Sequence, residues 1–207
     1  MDTALTQSWS HRIGTDPVLV YPDGCMDLVF DGETVSVAGA DTGPRFVSRR
    51  PGDLVSGVRF APGVLPAVLG VPAGEFTDRT VPLADVSPAL AQRLRTPQDA
   101  QAAASVAVES WIGPAVLALS RGERAAQTAD LLGLSERQLH RRCVSAFGYG
   151  PRKLQVILRA GDAIEMLRGG LSLSDAATAA AYADYPHLYR DIVRLTGRRP
   201  AEFSPAP

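Results

Sequence analysis

Cysteine is scarce in this 207-residue chain, and its two thiols, Cys25 and Cys143, stand apart with no CxxC pair and no clustered histidines. That excludes a disulfide framework and gives no zinc site, so both read as reduced thiols and no metal is expected. No run of about 18 apolar residues occurs, so no membrane-spanning helix is expected. The opening, Met1 to Trp9, is polar and lacks the basic and apolar regions of a signal peptide, which makes a cytoplasmic, nucleoid-associated protein the expectation. Compositional bias is lacking too: 45% hydrophobic and 21% charged residues are ordinary globular values, so no stretch reads as disordered. A catalytic nucleophile with a base is equally hard to find. Cys25 with His11 is the only pairing early in the chain, and no nucleophile elbow, metal motif or phosphate loop surrounds it, so neither an enzyme nor a cofactor is expected.

What the chain does have is an uneven distribution of charge. From Arg121 onward there are 13 Lys+Arg against 9 Asp+Glu, net +4; the rest holds 8 against 13, net −5, and the two sum to the overall −1. The basic half is the one suited to a polyanion. Hydrophobic patterning changes along the chain in parallel. Short apolar runs (Val18-Leu19-Val20, Leu28-Val29-Phe30, Val35-Ser36-Val37, Leu54-Val55, Gly57 to Phe60) alternate with Pro and Gly up to about Val81, which predicts a small sheet or barrel. Asp31-Gly32 predicts a hairpin with a two-residue turn. Ser87-Pro88 then reads as a helix N-cap followed by a first-turn proline, and helical segments are expected through Leu94 and from Pro97 to Leu119. The fold class expected is α+β: a β-rich sensing or interaction domain over 1–82, a helical connector over 83–120, and an all-α domain over 121–207.

That last domain contains two similar segments about fifty residues apart. In the first, Ala125, Ala129 and Leu132 lie at helical spacing, Gly133 breaks the helix, Leu134 plugs the corner, and Ser135 caps a second helix with Leu139 and Cys143 inward. In the second, Ser174 or Asp175 is expected to start a helix with Ala176, Ala177 and Ala180 inward. A turn at Tyr182-Ala183-Asp184 leads to a helix from Tyr185 to Leu195 with Leu188 and Ile192 inward. Small alanines let the first helix of each pair cross closely over the second, so that the second protrudes. The joining segment, Pro151 to Leu167, reads as a helix of about 25 Å. It suits recognition helices held about one turn of B-DNA, roughly 34 Å, apart.

Gly133-Leu134-Ser135, Leu139, Gly148 and Pro151, then Arg159, Ala163, Leu171-Ser172, His187, Arg190, Gly197 and Pro200-Ala201-Glu202-Phe203 resemble the AraC/XylS family of bacterial transcription regulators. The resemblance runs over about the last eighty-five residues, in register through both units. It implies double helix-turn-helix binding of double-stranded DNA, with recognition helices at about 135–146 and 185–195 in adjacent major-groove segments. Carried over by position, Arg137, His140 and Arg141 read bases in the first unit and Tyr185, Tyr189 and Arg190 in the second; Gln138 shares the outward face. Pro186 in the second recognition helix, Tyr182 and Ala183 at its turn, and Gly161 in the linker helix depart from the pattern. Arg137 and Arg141, at i and i+4, place two guanidinium groups on one face, where one can take guanine O6 and N7 and its neighbour a phosphate. Taken alone, such arginines read as solvated surface, and Tyr189 as packing; two matched units in one chain favour DNA contact. Ser135, Arg152, Lys153, Arg194, Arg198 and Arg199 are expected at phosphates, with solvated surface as the alternative.

The stretches Tyr21 to Phe30, Gly57 to Gly63, Leu69 to Pro72 and Thr77 to Arg79 resemble an uncharacterised domain found before some AraC-type DNA-binding regions. That implies a sensing or interaction role. Cys25, Asp27 and Arg59 are the polar residues an effector pocket could use. Against this stands a structural reading that the residue types favour, in which Asp23-Gly24 makes a turn, Asp27 pairs with Arg59, and Cys25 is a small buried residue. Expected partners are double-stranded DNA, a small-molecule effector, RNA polymerase and a second copy of the chain. The competing reading is a protein-interaction module whose acidic first half blocks DNA access.

Overall fold

The structure is a computed structural model that describes residues 5–104 and 108–205. Strands β1 (Thr6–Arg12), β2 (Val18–Val20), β3 (Met26–Phe30), β4 (Val35–Ala38), β5 (Arg45–Val47), β6 (Leu54–Phe60) and β7 (Thr80–Pro82) occupy the first part. An antiparallel five-stranded sheet has the order β1-β6-β3-β4-β7, and β2 pairs with β5 in a separate ribbon. Alternation fixes the faces. Met26, Leu28 and Phe30 of β3 with Val58 and Phe60 of β6 point to one side and are buried. Each such side chain contributes about 1.5–3 kcal/mol. The other side carries Trp9, Asp27 and Arg59; a Cβ at Gly57 would fall 2.2 Å from the Trp9 ring, so only glycine lets that indole lie flat across β6.

The first 120 residues depart from the sequence pattern at three points. The Asp31-Gly32 hairpin has a four-residue loop, 31–34, because the Asp31 carboxylate accepts from the backbone N–H of Glu33 and Thr34 and so makes Asp31 the first residue of the turn. Helix α1 (Val64–Leu69) and a 3-10 turn (Ala73–Phe76) interrupt the β-rich stretch. The expected helix from Pro97 to Leu119 is not continuous. After α2 (Leu83–Val86) and α3 (Pro88–Arg93, capped by Ser87 as expected), α4 spans Pro97–Ala103 and α5 spans Ile112–Ser120. Residues 105–107 of the expected helix lie outside the described ones. Pro114, tolerated only in a first turn, fixes the start of α5 near Ile112.

The remaining helices are α6 (Ala125–Leu131), α7 (Glu136–Phe147), α8 (Pro151–Arg168), α9 (Leu173–Ala179) and α10 (Tyr185–Thr196), followed by a 3-10 turn (Pro200–Phe203). Helix α8 runs without a break through Gly161 and measures about 27 Å. Its buried Leu154, Ile157, Ala160, Ala163, Ile164 and Leu167 face α5, α9 and α10.

One apolar core runs from the sheet into the helices. Trp111 meets Phe147 edge-on at 5.7 Å, and α1 with its neighbouring 3-10 turn packs on α7. Polar ties cross the same seam. Thr77 Oγ1 donates to the Gly148 carbonyl at 3.1 Å, Lys153 Nζ to the Thr42 carbonyl at 2.6 Å, and Arg168 Nη2 to Tyr21 Oη at 2.6 Å. Tyr21 in turn sits edge-on to Phe203 at 6.0 Å. Among the described residues, no helix is long and apolar enough to cross a membrane.

Candidate nucleic-acid interface

Two helix-turn-helix units share one construction. In the first, Leu134 N–H donates to the Ala129 carbonyl at 2.9 Å, and in the second Tyr182 N–H donates to the Ala177 carbonyl at 2.9 Å. Each bond closes a tight turn that leaves a helix through a left-handed residue: Gly133 at φ 65° and Ala181 at φ 57°. After these turns Leu139, Cys143, Gly148 and Pro151 recur as Leu188, Ile192, Gly197 and Pro200, each forty-nine residues on (139 to 188, 148 to 197). Arg141 and Arg190 therefore hold equivalent positions on α7 and α10.

The alanine at 181 is strained, since a side chain in the left-handed region costs about 1–2 kcal/mol. Part of the relief is offset by the greater freedom glycine has in the unfolded chain. Ala181→Gly is expected to raise stability by about 0.5–1 kcal/mol, seen as a melting temperature about 2 °C higher in calorimetry. An unchanged or lower value would mean that the turn is not strained.

Helix α7 is capped by Ser135. The Ser135 hydroxyl accepts from Gln138 N–H at 3.3 Å, while Gln138 Oε1 accepts from Ser135 N–H at 2.8 Å. Ser135 and Gln138 thus spend their oxygens on the helix start, and among the described residues the Gln138 NH2 has no partner. Arg137 and Arg141 are exposed and make no hydrogen bond or ion pair among the described residues. His140 is also exposed, but its ring lies over Gly150, where a Cβ would come within 2.7 Å of Nε2, so it stands at the corner with α8. Cys143 faces the core, and burial pushes its thiol up to about 12, as befits a small apolar residue.

Helix α9 starts earlier than expected. Ser172 is its N-cap, accepting from Asp175 N–H at 3.1 Å, so Ser174 and Asp175 lie inside the first turn. Asp184 caps α10 by accepting from His187 N–H at 2.7 Å, with Pro186 in the first turn, where its missing N–H costs nothing. Tyr185 and Tyr189 are half-buried and meet edge-on at 6.0 Å, so each has a packing role beside an outward edge. Arg190 is exposed and unpaired among the described residues. Arg194 is held by Asp191 at 3.0 Å.

One residue absent from the expected site supports the whole second unit. Buried Arg159 of α8 donates through Nε to the Ala180 carbonyl at 3.0 Å and through Nη2 to the Ala181 carbonyl, and its guanidinium lies 4.1 Å from the Tyr182 ring centre. It fastens the strained turn to the linker helix. An arginine among the apolar residues of α8 was the signal available in the sequence.

Among the residues expected at phosphates, Arg152 and Arg199 are exposed. Lys153 is drawn to Thr42 instead; burial, then repulsion from Arg194, lowers its pKa, so it does not stand free toward solvent. Arg198 lines a cleft beside Phe203.

Cys25, Asp27 and Arg59 do come together, but they line neither of the two main cavities. Arg59 pairs with Asp23 at 2.8 Å and Asp27 at 3.4 Å, and Asp27 also accepts from the Trp9 indole N–H at 2.8 Å. Burial raises the pKa of Asp27 in spite of these partners, and burial also pushes the Cys25 thiol up. Asp23, Asp27 and Arg59 form an ion-pair cluster on the face of the sheet that carries Trp9, and the backbone N–H of Cys25 donates to Asp23 beside it.

Residues 128–205 match a helix-turn-helix domain family, and residues 3–82 match a domain of unknown function, DUF6597. The chain has no match among curated proteins. Its fold is similar to crystal structures of ToxT from Vibrio cholerae. ToxT from strain O395 is 9% identical, with 96% of each chain covered and a TM-score of 0.53. The same protein bound to (E)-4-(8-methylnaphthalen-1-yl)but-3-enoic acid is 11% identical, with 96% of this chain and 97% of that one covered and a TM-score of 0.54. Unsaturated-fatty-acid-bound ToxT from strain SCE256 is 12% identical over 96% and 94%, with a TM-score of 0.50. At such identities the likeness is one of fold.

Proposed function

We propose that the chain is a DNA-binding regulator of transcription of the AraC type in which α7 and α10 read one duplex in successive major-groove segments, a reading supported by the helix-turn-helix domain match over residues 128–205. The observation that carries this is the equivalence of Arg141 and Arg190, each exposed and unpaired among the described residues on the outward face of a second helix. Arg137 extends the first reading face, and Tyr185 and Tyr189 the second. His140 and the free NH2 of Gln138 stand at the edge of the first. Arg152, Arg194 and Arg199 contact phosphates and set the register; Ser135 contributes at the start of α7, where unpaired N–H groups favour an anion. The first half receives a small molecule that sets DNA affinity. Support comes from the fold it shares with ToxT, which has been crystallised with an aryl butenoic acid and with an unsaturated fatty acid.

The test is selection of protein-bound fragments from randomised duplex DNA, followed by a salt titration of the best site. Two enriched elements whose centres lie about 10 base pairs apart are expected. Affinity should fall steeply with salt, with a log–log slope near −0.9 per phosphate neutralised. No enriched motif and a flat salt dependence would favour the protein-interaction reading.

A further inference from the structure

We propose that Gln138 sets specificity in the first unit by reading hydrogen-bond acceptors only, so that the duplex element under α7 is guanine-rich and the usual pairing of glutamine with adenine is excluded. The element under α10 then holds a single guanine. This deepens the DNA-binding function proposed above and rests on it.

A glutamine amide ordinarily pairs with adenine by accepting from N6 and donating to N7. Gln138 cannot do so. Its Oε1 accepts from the Ser135 N–H at 2.8 Å and from the Ser135 hydroxyl at 3.0 Å. A backbone N–H only donates, so it fixes which end of the amide faces the helix start. What remains for the groove is the NH2. It suits guanine O6 and N7 or thymine O4, and it meets a second donor at adenine N6 or cytosine N4.

The neighbours of Gln138 are of the same kind. Arg137 and Arg141 carry donors and no acceptor, and neither has a partner among the described residues. At 3.6 residues per turn, Arg137, Gln138 and Arg141 fall within about 100° of the helix circumference. Four residues advance a helix by about 6 Å, close to two steps of about 3.4 Å along a DNA strand. The two guanidiniums therefore reach guanines about two base pairs apart, with Gln138 over the pair between them. Glu136 is the only carboxylate of α7, and it points at least about 100° away from each of the three. His140 is turned to Gly150. The first turns of α7, which meet base edges in such units, thus present donors alone.

Forty-nine residues on (137 to 186, 141 to 190), the same three positions hold Pro186, His187 and Arg190. Pro186 has neither a polar side chain nor a backbone N–H. His187 is engaged: Nε2 lies 3.6 Å from Asp191 Oδ2, and its ring meets Tyr182 edge-on at 5.1 Å. Arg190 alone is free among the described residues. The hydroxyls of Tyr185 and Tyr189 both donate and accept, so they do not choose between donor and acceptor edges.

The experiment is selection from randomised duplex DNA with the full chain, with Gln138→Glu and with Pro186→Arg. The parent chain should select guanine at two positions about two base pairs apart in one element, with guanine or thymine between them, and one guanine in the other. Arg141→Ala, which relaxes one element only, tells the two apart. In Gln138→Glu the cap survives, because a carboxylate oxygen accepts from Ser135 as the amide did, but an acceptor now faces the groove. Its melting temperature should match the parent's. The middle base should change to cytosine, whose N4 donates, and affinity for the parent site should fall about 5- to 150-fold. Charge repulsion alone would weaken every site equally and leave that base unchanged. Pro186→Arg should add a second guanine to the other element. Adenine in the middle of the parent site, a middle base unchanged in Gln138→Glu, or no guanine gained in Pro186→Arg would each overturn the proposal while the two-element site stands. No enriched motif at all would remove both readings.

Discussion

Alanine at both Arg141 and Arg190 is expected to lower affinity for the selected duplex by the product of two separate losses, each between about 5-fold and 150-fold. Those figures correspond to about 1–3 kcal/mol per base contact. The two side chains share no partner, so their effects should add in free energy. Folding should be untouched, because both are exposed and unpaired among the described residues. Binding of random duplex should fall far less than binding of the selected site, since phosphate contacts carry most of the non-specific term. Each single variant should relax base preference in one element of the site only, measured by repeating the selection. Undiminished affinity in the double variant would reject the outward faces assigned to α7 and α10.

Arg159→Leu should act in the opposite way, through the fold. It leaves the carbonyls of buried Ala180 and of Ala181 without their guanidinium donors and removes the guanidinium from the Tyr182 ring. Hydrogen bonds to a charged group contribute about 1.5–3 kcal/mol each, and a desolvated cation over an aromatic ring about 2. A loss of about 3 kcal/mol or more is expected in denaturant unfolding, with protease sensitivity appearing first between Ala180 and Asp184. Lysine should not rescue it, because one ammonium cannot match the planar fork that reaches both carbonyls. On DNA, the footprint should shrink to the element read by α7. A variant within about 1 kcal/mol of the parent chain would show that the turn holds itself.

The elements that were legible in the sequence are those with a local chemical signature. Gly133, Ser135, Gly148 and Gly197 stand where the helices of the DNA-binding part turn or end, and the alternation in Met26 to Phe30 is visible as written. Strand β1 was not legible, because Thr6 to Arg12 lies at a sheet edge, is largely exposed, and has no apolar alternation. The interface was half legible. Outward arginines follow from helical spacing, but Lys153 could not be assigned to Thr42, nor Arg198 to the cleft, because those contacts join residues far apart in the chain. The ion-pair cluster around Arg59 is of the same kind: Asp27 and Arg59 were recognisable as a pair, while Trp9, which completes it, comes from the edge strand β1.

The second unit carries one residue more than the first between its turn and its capped helix: Leu134 is followed at once by Ser135, whereas Ala183 separates Tyr182 from Asp184. The two reading helices are therefore not copies displaced along an axis, and their surfaces differ as well, with Arg137 on one where Pro186 stands on the other. A reader built this way has a front and a back. Under the function proposed above, the stretch of duplex it fits could not be turned end for end, so one bound chain would point along the chromosome in a single direction, and a gene on one side of it would not be in the same position as a gene on the other.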